Sequence, residues 1–324
     1  MPDAPRPGQE RFVAPIEETP VRETGALDTS RPPESQWKEA WKQLRRSPMF
    51  WISSALLLLI AVVVLFPGLF TSVDPTRANL SDSLAPARSG HPFGFDRQGY
   101  DVFSRTIHGA RASVAVGFFC TLLVAVIGLA TGAVAGFYGG WVDAVISRIA
   151  DVFYAIPLLL AALVALSVIN NVWPDRGFFG GVLSVVGALA LFGWPQITRI
   201  ARGAVMEVKN LEFVDAARAI GASRGTNLRR HIIPNALAPV IVTSTVSLGI
   251  FIVAEATLSF LGIGLPGSVV SWGNDIAAAQ VLVRSGQHLG VMFYPAAALA
   301  LTVLSFILLG DAVRDALDPK ARKQ

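Results

Sequence analysis

Residues 212–235 read EFVDAARAIGASRGTNLRRHIIPN, a polar and basic stretch that separates two long apolar segments of the chain. A helix over 211–220 would gather four apolar residues on one face: Phe213, Ala216, Ala217 and Ile220. Acidic residues at 212 and 215 suit the start of such a helix, and Gly221 suits its C-terminal cap. Pro234 then opens the next apolar segment. The pattern is typical of an amphipathic helix between two membrane spans, which permits a soluble partner to dock without requiring one.

The composition predicts an integral membrane protein, because 52% of the residues are hydrophobic and only 15% are charged. Six stretches are long and uncharged enough to cross roughly 30 Å of hydrocarbon, which takes about 20 residues. Their apolar runs are continuous rather than alternating, so they predict helices and not a barrel. The first starts too late and runs too long for a cleaved signal peptide, so we expect an uncleaved anchor. We predict spans at 49–70, 113–138, 149–169, 180–200, 236–261 and 291–309.

The positions of the basic residues predict the orientation. Lysines and arginines concentrate before the first span, in the loop between the fourth and fifth spans, and after the last span. With six spans these three regions share one side, and the positive-inside bias makes that side the cytoplasm. The loop 71–111 on the other side carries five Arg nearly balanced by four Asp. We therefore expect both termini in the cytoplasm.

The two ends of the chain differ in character from its middle. The first 46 residues are rich in Pro and have little apolar periodicity, so we expect a disordered cytoplasmic tail over 1–34. The stretch 35–111 would hold an interfacial helix with Trp37, Trp41 and Leu44 on one face, the first span and an outer loop. A transmembrane bundle over 112–316, which includes the loop 203–235, and a cytoplasmic tail over 317–324 complete the predicted organisation.

No motif in the sequence indicates catalysis or cofactor binding. Residues 262–267 fit G-x-G-x-x-G, but they follow a predicted membrane helix and include Pro266, so we interpret them as a turn. The sequence contains no G-x-x-x-x-G-K-[ST]. Its four histidines lie in different loops without cysteine partners, and the single Cys120 lies within a predicted span. We expect no catalytic residue, cofactor or metal on this chain, and no nucleic-acid partner.

Gly128, Gly132 and Gly136 recur at every fourth residue within the second predicted span. Small residues at this spacing let another helix approach closely in lipid. Two interpretations stay open: packing within the bundle of this chain, which we favour, or an interface with another subunit. Either one predicts that this helical face is buried in protein.

Glu255 is the only acidic residue deep in a predicted span. An ionisable group there is costly and faces the bundle interior or a wet cavity. It could be a structural hydrogen-bond anchor near the outer membrane face, a group in the path of a solute, or a proton-coupling site. We favour the structural role. An intramembrane enzyme would need a second catalytic group near it, and the sequence shows none.

The loop 212–235 resembles a conserved loop of a known family. Asp215-Ala216-Ala217, Gly221 and Ile233-Pro234 are similar to the EAA loop of ABC-importer permeases, whose pattern is E-A-A-x3-G-x9-I-x-L-P. Asp215 replaces the Glu of that pattern, and His231 replaces its first Ile. The segment HIIPN at 231–235 is similar to the peptide/nickel branch. Further similarities to that branch run from about 38 to 323, among them HPFG at 91–94, GYDVFSR at 99–105, GGWVD at 139–143, IP at 156–157, EATLSFLG at 255–262 and SWG at 271–273.

On these residues the chain resembles the C-type permease subunit of dipeptide/oligopeptide (peptide/nickel) ABC importers, although Phe95 and Tyr100 replace a more usual Thr and Arg. The resemblance implies a type I importer fold of six transmembrane helices, a core of five with an extra N-terminal span. It also implies a bacterial inner-membrane protein that forms half of a translocation path for peptides. The residues expected to couple it to an ATPase are Glu212, Asp215, Ala216, Ala217, Gly221, Ile233, Pro234 and Asn235.

The partners that this resemblance implies are a homologous B-type permease, two cytoplasmic ABC ATPases and an extracytoplasmic peptide-binding protein. ATP and Mg would bind to the ATPases, so the chain would be a transport subunit and not an enzyme. Two alternatives remain: an importer of nickel or another small solute from the same family, or a proton-coupled secondary transporter that uses Glu255.

Overall fold

The structure is a computed structural model that describes residues 36–174, 176–286 and 288–317. Within these residues the chain is built from α-helices, and its only β features are two isolated bridges in the segment 88–101. The α-helices, in chain order, are α1 (Gln36–Leu44), α2 (Pro48–Leu65), α3 (Val102–Tyr138), α4 (Gly140–Tyr154), α5 (Leu158–Val172), α6 (Gly177–Val208), α7 (Glu212–Ala219), α8 (Arg224–Asn227), α9 (Ile233–Phe260), α10 (Trp272–Arg284) and α11 (Gly290–Leu317).

Five helical segments are long and apolar enough to cross a membrane, judged by length and composition. They are α2, α3, α6, the continuous stretch from α8 through α9, and α11. Helices α4 and α5 together form a sixth candidate, bent by 79° at the break between them. The predicted all-α integral membrane fold is confirmed. The number of candidate spans is six when the bent pair α4–α5 is counted as one span, and five without it.

The third predicted span is wrong as a single helix. The sequence predicts one continuous helix over 149–169, whereas α4 ends at Tyr154 and α5 begins at Leu158 after Pro157. Proline has no backbone N–H to donate and disfavours helical geometry in the residue before it, here Ile156. The apolar run conceals this break because hydropathy does not report backbone geometry.

Helices α3, α6 and α9 form the centre of the bundle, and the three spaced glycines lie where α3 meets α6. A Cβ on Gly128 would lie 2.6 Å from the Cβ of Ile197, and one on Gly132 would lie 2.5 Å from the carbonyl oxygen of Thr198. Real Cβ atoms do not come so close, so the two backbones can approach only because these positions lack side chains. Of the two interpretations above, the structure supports packing within the chain.

Helix α2 lies at the edge of the bundle against α11 and α3, and Ser53 is its only buried residue. Its C-terminal carbonyls are held by Arg111 of α3, whose Nε donates to Val64 O (2.8 Å) and Nη2 to Leu65 O (3.0 Å). Helix α1 packs on the far end of α11, where Gln43 Nε2 donates to Asp315 O. The predicted tail over 1–34 and all but the first residue of the tail over 317–324 lie outside the described residues.

Candidate functional site: the loop between two spanning helices

The loop 203–235 connects α6 to α9 and contains the two short helices α7 and α8. A five-residue π-helical turn, Leu228–Ile232, joins α8 to α9. Single π turns of this kind are frequent at functional sites. The loop therefore leaves the bundle and returns to it by helical segments throughout.

Local chemistry sets both ends of α7. Glu212 and Asp215 lie in its first turn, where negative charge complements the helix dipole, and Asp215 pairs with Arg218 at 3.0 Å. Gly221 follows the helix with φ +93°, in the left-handed region. The Gly221 N–H donates to Arg218 O and the next N–H donates to Ala217 O, which together form a Schellman cap. A Cβ at Gly221 would meet nothing within 4 Å, so the position demands glycine for its conformation and not for its size.

A small apolar cluster fixes α7 against both neighbouring spans. Val214 is fully buried and belongs to one cluster with Val205 and Val208 of α6, with Ile232, and with residues of α3 and α9. Asn227 Nδ2 donates to Val214 O (3.3 Å), which ties α8 to α7. One cluster therefore joins α7 both to α6 and to the start of α9.

The face of α7 that points away from the protein differs in part from the predicted face. Phe213 is 43% exposed, Ile220 is 87% exposed and Ala216 is also exposed, but Ala217 is only 7% exposed and turns towards its own chain. The helical period explains the difference, because Ala217 lies three residues after Val214 and shares its buried side. The exposed apolar residues on this face of α7 are therefore Phe213, Ala216 and Ile220.

The last three predicted coupling residues, Ile233, Pro234 and Asn235, form the first turn of α9. Pro234 occupies the N1/N2 position, where its missing N–H is not needed. Ile233 packs against the apolar cluster, and Asn235 Nδ2 donates to His231 O (2.6 Å). These residues position the loop on the span, while Glu212 and Asp215 remain exposed on α7.

Glu255 lies at the far end of α9 and is fully buried. Ser259 Oγ donates to Glu255 Oε1 (2.7 Å) and accepts a hydrogen bond from the Leu265 backbone N–H (3.1 Å). Through Oε1 the carboxyl holds the turn that follows α9, a contact that fits a structural role. Glu255 Oε2 has no hydrogen-bond partner among the described residues, and the role of the side chain stays a prediction.

The end of the bundle opposite the loop is held by pairs that are distant in sequence. Arg105 of α3 binds Asp275 of α10 through Nε (2.7 Å) and Nη2 (2.5 Å), with both side chains largely buried. Phe93 stacks on Tyr294 with ring centroids 3.7 Å apart. Burial raises the pKa of the Asp275 carboxyl to about 6, although Arg105 opposes the shift. Sequence reasoning missed this ion pair because its members are 170 positions apart and no local pattern links them.

Two residues that depart from the family pattern contact arginines at this end. The guanidinium of Arg88 lies 4.6 Å from the ring centroid of Phe95, and that of Arg105 lies 4.6 Å from the ring of Tyr100. His91 Nδ1 lies 2.6 Å from Asp101 Oδ2 in the same loop. Within the described ranges, no group of three or more His, Cys, Asp or Glu side chains could hold a metal ion.

The structure is a helical membrane bundle that presents a capped helix between two spans, and the comparisons identify its class as a membrane transport component. The model of the family described as binding-protein-dependent transport system inner membrane component matches residues 128–323. A second model, the N-terminal TM domain of oligopeptide transport permease C, matches residues 35–87. The chain belongs to the family of binding-protein-dependent transport system inner membrane components.

Relatives of known name are similar over most of the chain. The oligopeptide transport system permease protein OppC of Bacillus subtilis is 35% identical over 289 residues, which cover 89% of this chain and 91% of the relative. The glutathione transport system permease protein GsiD of Escherichia coli O157:H7 is 37% identical over 287 residues, 88% of this chain and 91% of the relative. An inward-facing structure of the MetNI methionine ABC transporter shares the fold, with a TM-score of 0.53 at 20% identity, over 66% of this chain and 96% of that one.

Proposed function

We propose that this chain is the transmembrane permease subunit of an ATP-driven ABC importer for dipeptides and oligopeptides. Relatives similar over about nine tenths of the chain are named for the transport of oligopeptides, dipeptides and glutathione, which is itself a tripeptide. A homologous B-type permease would supply the other half of the path. An extracytoplasmic peptide-binding protein would deliver the substrate at the end that carries α10.

The observation that carries the proposal is the exposed apolar face of α7. Phe213, Ala216 and Ile220 form an exposed apolar patch on α7, and contiguous patches of this kind mark sites of protein association. We assign this patch to docking on one of two ABC ATPases, which hold ATP and Mg. Closure of the ATPases would displace α7, and the apolar cluster would pass the displacement to α6 and α9. Alternating access follows if ATP and peptide each favour a different arrangement of the bundle.

The proposed orientation places the loop 203–235 and both termini in the cytoplasm of a bacterial cell. This loop holds five basic and three acidic residues, a net charge of +2. Basic loops near membrane spans stay on the cytoplasmic side, which is also where ATP is available. The position of the loop beside the spans thus agrees with the location of the proposed ATPases.

Site-specific crosslinking tests the docking. Cys120 is the only cysteine of the chain and is buried, so an introduced cysteine would be the reactive one. In the assembled complex, Ala216→Cys should crosslink to an ATPase subunit. Gln98→Cys, exposed at the opposite end, is the matched control and should give no such product. An ATPase crosslink from position 98, or none from position 216 in an active complex, would contradict the docking.

Uptake into proteoliposomes tests the transport reaction. The complete complex should accumulate a labelled dipeptide only with ATP and an intact ATPase site, and collapse of the proton gradient should have no effect. Glu255→Gln should leave this ATP dependence intact. Accumulation that follows the pH gradient and vanishes with Glu255→Gln would identify a secondary transporter. ATP-driven uptake of nickel with no uptake of any dipeptide would assign the alternative substrate.

A further inference from the structure

A cavity of about 490 Å³ lies behind α7, on the side away from the exposed docking patch. It is bounded by the end of α3 and by the segment that joins α7 to α8. Its lining consists of Phe137, Tyr138, Arg218, Ala222, Arg224 and Asn227. The contacts that hold α7 do not fill this space, and neither the fold nor the proposed docking explains it.

The charged wall of the cavity is positive. Arg218 and Arg224 both line it, and each guanidinium presents several N–H donors in a planar fork that matches the oxygens of a phosphate. Arg218 also pairs with Asp215, but that pair is exposed, with 49% and 65% of the two side chains accessible, and is therefore weak. The cavity thus favours an anion.

The lining includes a buried hydrogen-bond acceptor, Asn227 Oδ1, that has no donor within the described residues. Asn227 is 1% exposed, and its Nδ2 is engaged by Val214 O, which fixes the orientation of the amide. Its Oδ1 accepts no hydrogen bond from any residue that the structure describes. A buried polar atom without a partner is destabilising, so an occupant that brings a hydroxyl next to the anion would complete the site.

The aromatic wall places the cavity at the membrane surface. Tyr138 ends the apolar run of α3 and is 56% exposed, and Trp141, three residues later, is 77% exposed. Tyrosine and tryptophan that point outward at the end of a span mark the level of the lipid headgroups. One wall of the cavity therefore borders the headgroup region, while the arginines lie on the loop beyond it.

We propose that this cavity binds the headgroup of an anionic glycerophospholipid that carries hydroxyls, with phosphatidylglycerol as its simplest form. Arg218 and Arg224 hold the phosphodiester, a headgroup hydroxyl donates to Asn227 Oδ1, and the glycerol backbone lies along Tyr138. Basic pockets beside membrane spans are sites where anionic lipid headgroups bind. A lipid held there would brace α7 from behind. The proposed orientation assigns the lipid to the cytoplasmic leaflet, but the binding itself does not depend on that orientation.

Lipid titration of the purified, delipidated full chain tests the site, with binding followed by native mass spectrometry. One phosphatidylglycerol should bind at least about tenfold more tightly than phosphatidylcholine. Both lipids carry a phosphodiester, but the choline ammonium is repelled by Arg218 and Arg224 and offers no hydroxyl to Asn227. Arg224→Gln should weaken the binding of phosphatidylglycerol about tenfold. Arg229→Gln, also exposed on the loop but outside the lining, is the matched control and should bind as the natural chain does.

Phosphatidylethanol isolates the role of Asn227, since it has the same charge as phosphatidylglycerol and no headgroup hydroxyl. It should bind several-fold more weakly than phosphatidylglycerol. Equal binding of the two lipids would overturn the assigned hydroxyl contact. This comparison needs no substitution at Asn227, whose amide also supports α7.

Three results would overturn the proposal as a whole. Equal loss of affinity in Arg224→Gln and Arg229→Gln would show general attraction to charge rather than a site. Displacement of the lipid by millimolar glycerol 3-phosphate would identify a free phosphate as the ligand. Efficient crosslinking of an Ala222→Cys chain to an ATPase in the assembled complex would show that a protein segment occupies the cavity.

Discussion

The two ends of this molecule are built in opposite ways. At the α10 end, the loop 71–101 and α10 are fastened to α3 and α11 by an ion pair, by aromatic stacking and by the Trp272 indole N–H, which donates to Thr106 O (2.8 Å). At the α7 end, one short helix rests on a small apolar cluster and keeps Phe213 and Ile220 exposed.

The difference indicates that the α10 end is held by contacts within the chain, whereas the α7 end presents an apolar surface that the proposed ATPases would cover. Buried polar pairs need matched geometry and leave little freedom, so the α10 end should be stable on its own. An exposed apolar face on a capped helix gains free energy only when another surface covers it. Substitutions at the α10 end should therefore change stability, and substitutions on α7 should change coupling.

The largest effect is expected at the ion pair of the α10 end. Arg105→Ala leaves the buried Asp275 carboxylate without its partner, which should lower the free energy of unfolding by about 3–5 kcal/mol. Thermal unfolding of the purified chain in detergent measures the loss. The double substitution Arg105→Met, Asp275→Leu is the control and should recover most of the stability, because it removes both charges. If Arg105→Ala unfolded at the same temperature as the unsubstituted chain, the ion pair would not be what stabilises this end.

On α7 the expected loss is of transport and not of stability. Ile220→Asp places a charge on the docking patch, where burial without a partner costs about 3 kcal/mol and should reduce uptake at least about 100-fold. The unfolding temperature of the chain should stay the same, since Ile220 is 87% exposed.

Leu80→Asp is the matched control for that substitution. Leu80 is 77% exposed at the opposite end, so a charge there should leave the ATPases bound in co-purification. If Leu80→Asp released the ATPases while Ile220→Asp retained them with normal uptake, the assignment of the two ends would be reversed.

A smaller effect is expected at the cap of α7. Gly221→Ala forces an L-residue into the left-handed region, which costs roughly 1–2 kcal/mol and should increase hydrogen exchange in the loop 212–222. Gly225→Ala is the control, because that glycine lies within α8, has no positive φ and would meet nothing with a new Cβ. If hydrogen exchange in the loop 212–222 were equal in both variants, the C-terminal cap would not explain why position 221 is a glycine.

The smallest effect concerns pH at the α10 end. Because burial raises the pKa of Asp275 from 3.8 to about 6, the folded chain takes up a proton there before the unfolded chain does. Stability should therefore rise as the pH falls through about 6, by about 1 kcal/mol between pH 7 and pH 5. Arg105 and Asp96 are the charged groups that act on this carboxyl. Asp275→Asn should remove the rise, and unfolding temperatures that depend on pH equally in both chains would disprove it.

Features that depend on neighbouring residues were predictable from the sequence. The apolar runs predict the spans because crossing hydrocarbon requires about 20 apolar residues in succession. The acidic start and the glycine stop predict α7, because dipole and cap act within a turn or two. The spacing of Gly128, Gly132 and Gly136 predicts a close contact with another helix, but it does not identify α6 as that helix.

Features that depend on distant residues required the folded chain. Ala217 lies on the buried side of α7 because the cluster around Val214 also includes residues of α3 and α9. Helix α6 precedes α7 directly, but α3 is distant from it in sequence. The same holds for the Arg105–Asp275 pair and for the cavity that brings Tyr138 and Asn227 together.

The helix break at Pro157 has a local cause and was still not predicted from the sequence. The continuous apolar run over 149–169 indicated a single span and gave no sign of the break. Periodicity, caps and apolar length act over a few residues and can be read along the chain. The choice of partners for each helix face depends on how all the spans pack together, since burial is a property of the assembled bundle.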